Sequence, residues 1–175
     1  FQNPDDLKLF QQMQLLNVNK PTVVVNGSGV NVQDFNVMPL PLNKEGQVKA
    51  SFLLIARLLG DKGVREYAEA ARIVKAQYPE TEFHLVGWID DNPSAISQAE
   101  LDTWIQEKTV KYWGKLSDVR PAIAASSVYV LPSYREGTPR TVLEAMAMGR
   151  AVITTDAPGC RETVSNGVNG YLVAV

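Results

Sequence analysis

The sequence predicts an α/β fold, a parallel sheet with helices on both faces, and three observations carry that reading. Short runs rich in Val, Ile and Leu recur at 22–26, 51–56, 82–86, 110–113, 128–131, 151–154 and 171–173. Stretches of good helix formers at 63–77, 97–108, 118–125 and 141–148 separate most of them. Strands that alternate with helices are joined by crossovers, so they lie parallel, the arrangement of a Rossmann-like layer. Third, a chain of 175 residues, 45% hydrophobic and 21% charged, is long enough to bury one ordinary core and cramped for two.

The elements follow in order. The run 22–26 is β-branched and leads into Asn26-Gly-Ser-Gly-Val-Asn31, a hint of a dinucleotide fingerprint that lacks its third glycine and is followed by extended chain rather than a helix. Its glycines permit a tight turn. Residues 38–46 form a turn-rich connector, and 90–94 another. The apolar run 51–56 ends at Arg57, and Lys62 precedes the helix 63–77. In 82–86, alternation sets His84 opposite Phe83 and Leu85. The last strand-loop-helix unit, 127–149, joins a buried β-branched run to a helix that stops at Gly149, with Thr138 as the expected cap and Pro139 at the first helical position. Its free N–H groups and positive dipole end face the carboxyl end of the strand, a place for an anionic ligand.

Composition excludes several classes of function. A formal charge of −2, with no basic or aromatic stripe, gives no field for nucleic acid. Cys160 is the only cysteine and His84 the only histidine, so neither a disulfide framework nor a Cys/His zinc site can form, which fits a reducing cytoplasm. No apolar stretch approaches about 18 residues, and the start has no signal-peptide pattern. The chain opens without Met and stops within the apolar run 170–175. It reads as a piece of a longer protein, with 1–20 the tail of a connection from an amino-terminal part and 21–175 the Rossmann-like domain.

In open parallel sheets ligands bind beyond the carboxyl ends of the strands, where the sequence places Arg57, Gly87, Gly114, Ser133 and Thr155. Arg57 and Lys62 flank one turn, and a guanidinium with an ammonium there can chelate a diphosphate and neutralise the charge it develops on leaving. The same pair also suits an ordinary charged βα loop. Glu136 precedes Gly137 and Thr138, and seven residues separate it from Glu144. A carboxylate accepts two hydrogen bonds from paired sugar hydroxyls. The alternatives are a solvated charge at Glu136 and a helix ion pair of Glu144 with Arg140 or Arg150. An acid inside the apolar run 142–146 needs a partner, which favours a ligand role for Glu144. Trp88 and Trp113 fit core or rim packing.

The order of these elements resembles that of the retaining glycosyltransferases of family 4, whose GT-B fold sets two Rossmann-like domains across a cleft. The resemblance covers nearly the whole chain: Gly27-Ser-Gly-Val-Asn-Val-Gln-Asp-Phe35, Ala56-Arg-Leu-Leu-Gly-Asp-Lys-Gly63, Leu85-Val-Gly87, Trp113-Gly-Lys-Leu-Ser-Asp-Val119, Leu131-Pro-Ser-Tyr-Arg-Glu-Gly-Thr-Pro139 running into Glu144-Ala-Met146, and Asn166-Gly-Val-Asn-Gly-Tyr-Leu-Val173. It implies the carboxy-terminal, donor-binding half of a GT-B fold. By position, Arg57 and Lys62 grip the diphosphate and Glu144 the ribose hydroxyls, while Glu136 meets the transferred sugar beside its anomeric carbon. Backbone groups of Gly137, Thr138, Pro139 and Arg140 meet sugar and phosphate oxygens, and the stretch from Gly114 through Leu116 to Val119 borders the base. Asn31 stands where many relatives carry Asp.

The resemblance further implies retention of configuration without a bound metal or cofactor. The wording of 131–140 and 154–162 is most similar to bacterial enzymes that extend lipid-linked sugars for capsule, O-antigen or glycoprotein synthesis. The donor is then a UDP-sugar and the acceptor a glycan or polyprenyl-diphosphate-linked sugar. The fragment alone is expected to be inactive, with the membrane reached only through the full-length protein. Two competing readings are a nucleotide-sugar epimerase of the same fold and a non-catalytic nucleotide- or sugar-binding module.

Overall fold

A computed structural model describes residues 1–17 and 19–175. Six parallel strands, β1 (Ser51–Ile55), β2 (Glu82–Val86), β3 (Lys111–Tyr112), β4 (Val128–Leu131), β5 (Ala151–Thr155) and β6 (Gly170–Val173), form one sheet in the order β3-β2-β1-β4-β5-β6. Its register runs from Ser51 opposite Glu82 to Ile55 opposite Val86, and from Val128 opposite Ala151 to Leu131 opposite Thr154. The Rossmann-like α/β layer is therefore as expected, the type of layer that pairs in a GT-B fold. The chain builds outward from β1 to β3 and then returns to place β4 on the other side of β1. Neighbouring connections diverge there, which opens a crevice at the carboxyl ends of β1 and β4.

The helices are α1 (Pro4–Gln12), α2 (Val64–Gln77), α3 (Gln98–Gln106), α4 (Arg120–Ala124) and α5 (Arg140–Ala147). In α2 the buried Val64, Tyr67, Ala68 and Ala71 recur at the spacing of one helical face. Ser97 and Glu100 cap α3 reciprocally. Leu53, Leu54, Leu85, Ile123 and Leu131 lie at the centre of the core, fully buried because both faces of a parallel sheet are covered. Two buried tyrosine hydroxyls find partners there: Tyr67 donates to the His84 carbonyl at 2.9 Å, and Tyr129 donates to the Ile55 carbonyl at 3.1 Å and accepts from the Thr141 hydroxyl at 2.6 Å.

Four local expectations change. Residues 22–26 join no strand of the sheet; instead Val25 donates to the Phe1 carbonyl at 2.8 Å and the Phe1 ammonium to the Val23 carbonyl at 2.9 Å. Within the expected 1–20 tail lies α1, capped by Asn3, whose Oδ1 accepts from the Asp6 N–H at 2.7 Å. The signal was in the sequence, since Asn-Pro-Asp-Asp is a cap, a first-position proline and two acids in the first turn. The expected cap Thr138 does not cap α5: its hydroxyl donates to the Gln2 carbonyl at 3.0 Å, and Pro139 occupies the cap position rather than the first helical one. Arg150, weighed only as a partner for Glu144, is buried and donates to the carbonyls of Ile123, Met38 and Pro39, each at 3.0 Å, fastening the connector to the core.

Candidate functional site

The site begins where β1 ends. Ile55 and Ala56 lead to Arg57, and a single 3-10 turn, Gly60–Lys62, then turns Lys62 back toward β4. Gly63 closes that turn with φ +69°, and a Cβ there would collide with the Pro132 carbonyl. Only glycine satisfies both the left-handed conformation and the close approach. The β1 and β4 loops are thereby drawn together: the Tyr134 N–H and Ser133 hydroxyl both donate to the Asp61 carbonyl, at 3.0 and 3.2 Å. On the far side the Glu136 N–H donates to the Pro158 carbonyl at 2.9 Å.

These constraints bring Lys62 Nζ to 2.7 Å from Glu136 Oε1, with side chains only 15% and 16% exposed. Both line a cavity of about 370 Å³ with Arg57, Gly137, Thr138, Pro139, Arg140, Thr141 and Gln2. Larger cavities occur beside Val128, Arg150 and Gly170 at the amino ends of β4 to β6, and beside the 42–50 connector. They lie away from the strand carboxyl ends, so the smaller one is the candidate site. The first N–H groups of α5, at Arg140 and Thr141, have no helical carbonyl to bond and open on the same crevice.

Arg57 Nη1 meets Asp90 Oδ2 at 3.0 Å, an ion pair whose guanidinium side is 47% exposed and which is therefore weak. Glu144 lies one helical turn behind the cavity rather than on its lining. Its side chain is 9% exposed, and Oε1 accepts from Arg140 Nε at 3.0 Å. The other oxygen accepts no hydrogen bond among the described residues. Burial pushes this carboxyl above its ordinary value, and Arg140 only partly offsets the effect.

The structure thus gathers Arg57, Lys62, Glu136 and residues 137–140 around one space, with Glu144 adjacent. Gly114 and Leu116 do not line it. The Gly114 carbonyl accepts from the Gly87 N–H at 3.0 Å, and Leu116 packs against the core. Between them Lys115 sets its ammonium 4.5 Å from the Trp88 ring centre, at the β2 side of the crevice. Sequence reasoning missed Asp90 as the partner of Arg57 and Gln2 as a wall, because neither lies in a motif that announces its neighbour. Among the described residues no three His, Cys, Asp or Glu side chains converge on a metal site. Nor is any described helix long and apolar enough to cross a membrane.

Residues 49–175 match the family described as glycosyl transferases group 1. The chain belongs to that family. Among curated group 1 relatives, the N,N'-diacetylbacillosaminyl-diphospho-undecaprenol α-1,3-N-acetylgalactosaminyltransferase of Campylobacter jejuni is 36% identical over 159 residues, 84% of this chain and 39% of its own length. The capsular polysaccharide biosynthesis glycosyltransferase CapM of Staphylococcus aureus is 28% identical over 89% of this chain and 42% of its own. The chain therefore spans about two fifths of the relatives it matches. Of solved structures, sucrose-phosphate synthase from Thermosynechococcus elongatus superposes with a TM-score of 0.75 at 24% identity, covering 98% of this chain and 44% of that one. The pneumococcal O-GlcNAc transferase GtfA, in complex with UDP and GlcNAc, does so at 0.71 and 20%, covering 98% and 32%. At these identities the likeness is one of fold.

Proposed function

We propose that this group 1 chain is the donor-binding half of a retaining, metal-independent glycosyltransferase of family 4, transferring a hexose from a UDP-sugar to a lipid-linked glycan. The observation that carries the reading is the Lys62–Glu136 pair beside Arg57 at the switch point between β1 and β4, facing the start of α5. A cation pair and free backbone N–H groups suit a diphosphate, and a carboxylate suits a sugar. The sugar and acceptor chemistry rest on the activity for which the Campylobacter relative is named and on the UDP and GlcNAc bound by the pneumococcal neighbour.

In this reading Arg57 leaves Asp90 and Lys62 leaves Glu136 to hold the two phosphates, neutralising the charge that builds as the glycosidic C–O bond breaks, so no divalent ion is required. The acceptor oxygen attacks the same face from which the diphosphate departs, and its proton passes to a phosphate oxygen. Glu136 then stabilises the oxocarbenium-like anomeric carbon, and Glu144 accepts from the ribose hydroxyls. The acceptor site belongs to an amino-terminal half, and the reaction takes place in the cytoplasm, at the inner face of the plasma membrane.

The test is thermal unfolding of the chain with UDP in EDTA. A ligand bound only by the native state at a hundredfold excess over Kd adds about 2.7 kcal/mol, or roughly 5–11 °C for a chain of this size. The double substitution Arg57→Ala and Lys62→Ala should abolish the shift. No shift with any nucleoside diphosphate, or an equal shift in the double variant, overturns the proposal.

A further inference from the structure

Asn3 is completely buried, although 133 residues separate it from the loop it touches. Its two side-chain atoms have different duties. Oδ1 caps α1 by accepting from the Asp6 N–H at 2.7 Å, which leaves Nδ2 as a donor with a fixed direction. Nδ2 reaches the Glu136 carbonyl at 3.1 Å, the Gly137 carbonyl at 3.3 Å and Asp6 Oδ2 at 3.0 Å. The same loop is held by neighbours of Asn3. The Gln2 carbonyl accepts from Thr138, and the Gln2 side chain lies where a Cβ on Gly137 would go. Asp6 pairs with Arg135, and Asp5 pairs with Arg161 at 2.6 Å. Gly159, at φ +82°, also packs so closely on the Glu136 and Gly137 carbonyls that no side chain fits.

We propose that Asn3 is a positioning residue for the sugar subsite: its amide clamps the Glu136 and Gly137 carbonyls against the Gly159 turn and so aims the Glu136 carboxylate into the crevice. The inference rests on the functional reading above for the sugar, but the clamp itself is a property of the unliganded chain. A peptide whose carbonyls are held by a buried amide and crowded by a neighbouring turn has one orientation, and the geometry of a binding group is worth most when it is fixed before the ligand arrives. Arg57 lies on the β1 loop, outside this clamp, and Lys62 meets the clamped loop only through the Glu136 carboxylate, so sugar binding should respond to its loss more strongly than nucleotide binding.

The experiment compares Asn3→Ser and Asn3→Asp. Asn, Asp and Ser are all good helix caps, so a role confined to capping predicts little difference among the three. The clamp predicts a graded loss, because Ser lacks the amide donor and Asp adds a carboxylate facing two carbonyls and Asp6. The first measurement is amide exchange without ligand at Glu136, whose N–H bonds Pro158. We expect acceleration of about tenfold for Asn3→Ser and more for Asn3→Asp, on the scale of one lost hydrogen bond. The Met13 amide, which bonds the Leu9 carbonyl at the end of α1, should stay protected. Unchanged exchange at Glu136, or equal acceleration at Glu136 and Met13, overturns the clamp. The second is calorimetry with UDP and UDP-N-acetylgalactosamine: the variants should lose the preference for the sugar nucleotide, while UDP itself should bind no more than about twofold more weakly than to wild type, because a loosened Glu136 competes less for Lys62. Wild-type protein without that preference would count against the sugar reading, while Glu136 exchange still decides the clamp.

Discussion

Replacing Glu144 by Gln should make the unliganded chain more stable and the nucleotide complex weaker. The acid is nearly buried in α5 and has one partner, Arg140, whose own side chain is 67% exposed. A pair with one partner so open to water is worth at most about 1 kcal/mol. Desolvation of the carboxylate outweighs so open a pair, so the variant should gain about 0.5–2 kcal/mol, the scale of a single stabilising substitution, and the melting temperature should rise by about 1–8 °C. The sign with pH follows from the raised carboxyl value in the folded chain. The folded state holds this proton more tightly than the unfolded state. The penalty in wild type is therefore absent below the ordinary carboxylate pKa of about 4.3, grows as pH rises through it, and is complete above the raised folded value. The advantage of Glu144→Gln should accordingly be full at neutral pH and vanish toward about pH 4. Binding moves the other way. In the proposed complex, where Glu144 accepts from two ribose hydroxyls, exchanging its charge for an amide should cost about 1.5–3 kcal/mol, roughly 10- to 150-fold in UDP affinity. Differential scanning calorimetry across pH and titration calorimetry with UDP measure the two arms. A variant less stable at neutral pH with unchanged UDP affinity would refute the reasoning, since Glu144 would then be a helix charge held for its pair with Arg140.

Glu136→Gln should raise UDP affinity about three- to tenfold, because it removes the group that competes for Lys62, and should abolish any preference for a sugar nucleotide over UDP. Titration calorimetry reads both, and weaker UDP binding would mean that Glu136 supports the nucleotide. Gly63→Ala should cost about 2–4 kcal/mol, from the left-handed backbone and the Pro132 carbonyl behind it; a melting temperature within about 2 °C of wild type would show that the turn relaxes without strain.

The sheet was legible from the sequence because its evidence is local. Runs such as 52–55 and 128–131 are apolar throughout and so point to burial, and their alternation with helix formers leaves parallel pairing as the way to cover both faces. Arg57, Lys62 and Glu136 could be placed at the carboxyl ends of strands in advance, but by themselves they also suited an ordinary charged loop, and the roles expected of them came from the family resemblance. The misreadings fell where competition for a hydrogen-bonding group decides the outcome. Thr138 has the right chemistry for a cap, but the Gln2 carbonyl takes its hydroxyl. The 22–26 run has β-branched residues, but its backbone is engaged by Phe1 rather than by the sheet.

The amino-acid order by itself determined the class of fold and the set of charged groups that stand at the carboxyl ends of its strands. Tertiary structure alone decided which of those charges face each other: Lys62 with Glu136 and Arg57 with Asp90, with Glu144 withdrawn behind Arg140. The reason is range. Secondary structure follows from neighbours a few residues apart, whereas an ion pair or a buried amide such as Asn3 finds its partner only when chain segments far apart in sequence are packed to within a few ångströms.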